Sequence, residues 1–169
     1  MNRSGSVSMG SEQYTLKKWV WTDIDFDEMM WHDVHVHGMA LVNDLPHQLE
    51  LLFDLDYILK WVEPHNPEKE FSFWLVPATL VFSDVFNLSI NVEAEQPVYE
   101  IDKITREERV NSSGWRTWLW TVRLQQGKIS FWSTGYRQYL RRKPVLHCRQ
   151  YFGYQERGGV SFSQETFAG

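Results

Sequence analysis

Cysteine is almost absent from this chain: its 169 residues include one, Cys148. No intrachain disulfide can form, and a reducing compartment is expected. Long apolar runs are lacking as well. None approaches the roughly 20 residues a bilayer-spanning helix needs, which excludes a transmembrane helix. The first residues show no basic segment followed by an apolar one, so no secretory signal is expected. Positive charge is in deficit, with 17 Lys and Arg against 22 Asp and Glu and a net charge of −5, which argues against a general nucleic-acid binder. A nucleophile-elbow serine, a phosphate-cradling glycine loop and a dinucleotide fingerprint are all missing. These absences point to a cytoplasmic protein with no catalytic residue, no cofactor, and no nucleic-acid or membrane partner.

What the chain does have is aromatic mass: 9 Trp, 7 Tyr and 10 Phe. Such side chains bury large areas, favour strands, and give a short chain a dense core. Its charge is also unevenly spread. Residues 1–100 carry net −12 and residues 101–169 carry net +7. Either the two halves pair inside one fold, or the molecule presents an acidic face suited to a basic partner.

Residues 1–12 are Ser/Gly-rich and read as a flexible leader, leaving 13–169 as a single β-rich domain. From Gln48 to Ile58, Leu49, Leu51, Phe53, Leu55 and Tyr57 share one face, while Glu50, Asp54 and Asp56 share the other. That is the period of two of a half-buried strand. Similar alternation runs through 33–43, 88–92 and 115–124, and Gln125-Gln126-Gly127-Lys128 reads as a hairpin turn. Pro77 interrupts the apolar run 71–82 and predicts a bulge, an edge or a bend there. Residues 99–110 fit a helix face or a strand end equally well. Asp23 or Asp25 suits the cap of a short helical turn. The sum is a mainly β protein (β or α+β), a single antiparallel β-sandwich or open barrel with one or two short helices.

Three residue groups are candidates for function. Asp33, His35 and His37 would share a strand face, and two imidazoles with a carboxylate are ligands for a divalent metal. Three consecutive same-face positions span about 13 Å, so a third ligand would have to come from elsewhere. Glu50, Asp54 and Asp56 form an acidic face for a protein partner with a basic surface. Trp118 and Trp120 would line an aromatic pocket for a small ligand. The first group implies a metal-binding protein or metal-dependent enzyme, the second a non-enzymatic binding protein. Cys148 reads as buried and inert.

A longer pattern joins Trp31-His32-Asp33 and Gly38 to Phe53-Asp54-Leu55-Asp56-Tyr57-Ile58, then Phe73-Trp74-Leu75-Val76-Pro77, and finally Gly135-Tyr136-Arg137-Gln138-Tyr139-Leu140. This order, over about residues 19–145, resembles an uncharacterised family of small bacterial proteins. It is also loosely similar to some immunity proteins of bacterial toxin systems. The resemblance implies no reaction and carries no catalytic residues.

Overall fold

A computed structural model describes residues 13–65, 70–93 and 95–168. The leader expected over residues 1–12 lies outside the described residues. In chain order the strands are β1 (Val20–Thr22), β2 (Val34–Leu45), β3 (Gln48–Val62), β4 (Ser72–Ser83), β5 (Phe86–Val92), β6 (Tyr99–Val110), β7 (Arg116–Leu124), β8 (Gly127–Ser133), β9 (Gly135–Leu140) and β10 (Val145–His147). A 3₁₀ helix, Asp23–Glu28, follows β1, and a one-turn helix α1, Tyr154–Arg157, lies in the C-terminal segment. The expected mainly β class is what the structure shows. One large antiparallel sheet runs in the order β1-β9-β4-β3-β2-β6-β7-β8-β5, with β10 pairing β4, and it is not closed into a barrel.

The sheet is continuous but folds onto itself. β2 and β6 pair only through Val34–Val36 and Tyr99–Ile101. Across this short join the two halves face each other. Phe82 of β4 meets Phe131 of β8 at 4.7 Å and Trp120 of β7 at 5.1 Å between ring centroids. The alternation in β3 directs Leu51, Phe53, Leu55 and Tyr57 into this shared core. Edge-to-face aromatic packing fills it, as the Trp and Phe content implied. Leu49, Leu88 and Trp118 are only half-buried, while Ile90 on the terminal strand is exposed. Cys148, expected to be buried, is exposed as well, because it lies just past the short strand β10 and outside the core.

Two local readings change. Residues 99–110 form strand β6 and not a helix, because nine of its positions pair with β7. Pro77 lies inside one uninterrupted strand. Its carbonyl accepts from the Arg141 amide, so its nitrogen faces the gap between β9, which ends opposite Ala78, and β10, which starts opposite Leu75. No ladder donor is needed in that gap, which is why a proline is tolerated mid-sheet.

One splayed side of the folded sheet is plugged by the 3₁₀ helix. Asp25 caps it, accepting from the Thr22 amide at 2.9 Å and from Lys18. Phe26 packs on Trp120 and Trp31. The Arg106 guanidinium lies between Phe26 and Trp118, 4.3 and 4.2 Å from their ring centroids, and donates to the Asp23 carbonyl at 2.7 Å. Replacing Arg106→Ala removes both cation–π contacts and a charged hydrogen bond. A loss of about 2 kcal/mol in urea unfolding is expected. A loss under about 0.5 kcal/mol would show that Phe26 alone seats the plug.

Candidate functional site

β3 is buried on both faces between Leu51 and Ile58, so its acidic side is covered as completely as its apolar one. The cover is the C-terminal segment. Asp54 and Asp56 have no solvent exposure, and Arg157 is 4% exposed. Arg157 donates Nη1 and Nη2 to the two oxygens of Asp54 at 2.6 and 2.7 Å, and Nε to Asp56 at 3.2 Å. Arg141 adds Nη2 to Asp54 at 2.6 Å. The segment's own backbone completes the set, with the Phe152 amide on Asp56 at 2.8 Å and the Ser161 amide on Asp54 at 2.9 Å. Thr79 of β4 donates to the Ser163 carbonyl at 2.7 Å. Two carboxylates and two guanidiniums therefore balance in the interior. Burial opposes the Asp56 charge, but the His37 hydrogen bond and the Arg157 charge outweigh it and hold the carboxyl below its ordinary range. Burial likewise opposes the Arg157 charge, and Asp54 and Asp56 more than restore it.

This geometry corrects the acidic-face expectation. Asp54 and Asp56 are neutralised from within and present nothing to a basic partner, while Glu50 is half-buried. The alternation of β3 is present, but a polar strand face need not be a solvated one. Arg157 and Tyr151 were not singled out as site residues by the sequence. The signal available for the arginines was the opposite charge of the two halves of the chain, which here meet inside one fold.

The His35–His37 stretch lies beside this network. A bulge between Val36 and Gly38 interrupts the β2–β3 register, and His37 Nε2 pairs with Asp56 Oδ2 at 2.7 Å. The ring of His35 lies 4.9 Å from that of His37 and stacks on Tyr151 at 4.6 Å. Its Nδ1 is buried without a hydrogen-bond partner among the described residues. Burial, together with the charges of His37 and Arg157, lowers the His35 pKa to about 4. Asp33 does not join the histidines. It precedes β2 with φ of 62° and engages His32 and Gln150 instead. Among the described residues, no three His, Cys, Asp or Glu are arranged to hold a metal ion. The expected Asp33/His35/His37 set is thus dispersed: one member caps the strand, one stacks, and one orients against a carboxylate.

The tryptophans also part company with their expected role. Trp120 is fully buried among Phe82, Tyr136 and Phe26, and Trp118 lies under Arg106. Both build the core and its plug. The cavity between the sheet halves lies elsewhere, where β2 and β6 diverge. It has a volume of about 310 Å³ and is lined by Val36, Met39, Phe53, Ile90, Val92, Tyr99, Leu124 and Ile129, with His37 and Gly38 completing its wall. Met39 and Ile90 are 41% and 45% exposed, so apolar surface reaches solvent at this side of the sheet. Behind the wall lies the C-terminal segment: a Cβ on Gly38 would come within 2.9 Å of Val160 and 3.1 Å of Phe162. Gly38 is what lets the segment lie flat on β2.

Compared with known proteins, the chain matches no family model, no curated protein and no solved structure.

Proposed function

We propose that this is a non-enzymatic binding protein that holds a small, mainly apolar molecule in the cavity between the two halves of its sheet. The observation carrying this reading is the lining itself. Eight of its ten residues are aliphatic or aromatic, and His37 is the one ionisable imidazole among them. Ligand pockets combine such an apolar wall with a few polar groups that fix orientation, at volumes of roughly 300–1,000 Å³. At about 310 Å³ this cavity suits a small ligand. Of the lining residues, Tyr99 and His37 carry polar side chains, and His37 Nε2 is already paired with Asp56, so the ligand class is an apolar body bearing at most one polar group. The reading keeps the small-ligand expectation and relocates it from Trp118 and Trp120. It also replaces the acidic-face reading, whose Asp54 and Asp56 are internally paired.

The test is titration with phenylnaphthylamine, an apolar dye that brightens on leaving water. Saturable binding to one site is expected in the native protein. Met39→Trp, which adds bulk at the cavity lining, should weaken it at least about tenfold, equivalent to about 1.4 kcal/mol. Absence of saturable binding, or equal affinity in the variant, would remove the cavity from the account.

A further inference from the structure

The sheet ends very differently at its two sides. On one side the terminal pieces are β1 and β10, each three residues long. On the other it ends in β5, seven residues with the sequence FNLSINV, paired on one edge to β8 and on its other edge to no strand among the described residues. Exposed strand edges are templates for pairing with another chain, and proteins usually blunt them with charge, proline or short length. β5 carries no charge and no proline, and past the bulge between Phe86 and Ser89 its pairing is regular. A chain with 39 charged side chains places none on its terminal strand. Ile90, on its core side, is 45% exposed, and Phe86, which the bulge turns to the outer side beside Trp132, is 45% exposed as well. Phe86 stacks on Trp132 across the edge, 6.1 Å between centroids.

We propose that β5 is the docking edge for a second copy of this chain, paired antiparallel about a two-fold axis at Ile90. The strand's own pattern selects this occupant. The bulge in the β5–β8 register lies between Phe86 and Ser89, and regular pairing then runs from Ser89 through Val92. Around Ile90, which lies opposite the core residue Ile129, the sequence reads the same way in hydropathy in both directions. Leu88 would face the partner's Val92, Ser89 the partner's Asn91, and Ile90 its own counterpart. Apolar meets apolar on the core side, polar meets polar on the outer side, and no like charges face each other. A two-fold interface must be self-complementary in this sense. Because Ile90 and Val92 also line the cavity, the second copy would pack beside its open side.

Sedimentation equilibrium on the full chain, over a wide concentration range, tests this. The wild type is expected to reach twice the chain's mass. The double variant S89E/N91E sets like charges opposite each other twice across the axis while placing no like charge opposite Lys128, the β8 partner of Asn91. It should weaken the dimer at least about tenfold. The double variant S89K/N91E sets opposite charges in the same places and should recover dimerisation to within about threefold. Both positions are exposed, so unchanged circular dichroism is expected. As a check that needs no variant, the β5 amides of the wild type should gain hydrogen-exchange protection as concentration rises. A wild type that stays monomeric overturns the proposal, as does a charged variant that dimerises undiminished or a complementary pair that fails to recover. Dye binding in the cavity is measured separately, and its failure would leave this edge prediction intact.

Discussion

Arg157→Met is expected to cost about 3–5 kcal/mol, because it leaves Asp54 and Asp56 buried with one guanidinium fewer than they need. Few domains have more than 5–15 kcal/mol to lose, so the effect is large. The figure belongs to breaking the network, since a buried ion pair need not stabilise relative to an apolar replacement. Arg157→Lys should fall between wild type and Arg157→Met. An ammonium keeps the charge but cannot deliver Nη1 and Nη2 to Asp54 and Nε to Asp56 at once. Guanidinium unfolding gives the magnitude. Hydrogen exchange at the Phe152 and Ser161 amides, which bond the two carboxylates, reports whether the C-terminal segment lifts first. A loss below about 1 kcal/mol for Arg157→Met would mean that Arg141 alone suffices. The same network sets an acid limit. The folded Asp56 carboxyl lies below its ordinary value of 3.8, so its contribution is present above that pH and is lost as pH falls through the lower folded value.

At milder acidity His35 should dominate. Its folded pKa of about 4 lies below the ordinary 6.5, so the folded state binds fewer protons than the unfolded chain between these values. Stability is therefore full above about pH 6.5 and declines as pH falls toward 4, by about 3 kcal/mol at 1.36 kcal/mol per pH unit. The physical cause is a ring held 8% exposed against Tyr151, with the His37 ring and the Arg157 charge nearby and Asp56 partly offsetting them. Replacing His35→Phe keeps an aromatic face for Tyr151 and removes the titration. Its stability should be nearly flat over that range, while the wild type slopes. Parallel slopes for the two proteins would place the acid sensitivity elsewhere.

Much of the fold was legible in the residues. Period-two alternation located β3, β5 and β7. The Gln125–Lys128 turn marked the β7–β8 hairpin, and the aromatic content announced the core that Phe82, Trp120 and Phe131 now form. Where the reading stopped short, the cause was long-range. A strand partner decides whether 99–110 is helix or sheet, and β7 supplied it. The 3₁₀ plug, the gap beside Pro77 and the bulge at His37 likewise depend on what lies across the sheet.

The site shows the same division. The alternation of β3 put Asp54 and Asp56 together on one face, and the opposite charges of the chain's two halves contained their eventual pairing. Local pattern could not say whether that face meets water or protein, because the covering residues lie about a hundred positions away: Arg157 reaches Asp54 across 103 residues. Asp33, His35 and His37 were equally spaced in sequence. A positive φ at the first and a bulge at the third sent their side chains to different partners. Alternation, composition and turn chemistry are local, and they made this chain a mainly β, aromatic-rich antiparallel sheet. The buried ion network and the cavity beside β2 exist only because the folded sheet brings distant segments together, and burial then changes what each charged or apolar group is worth.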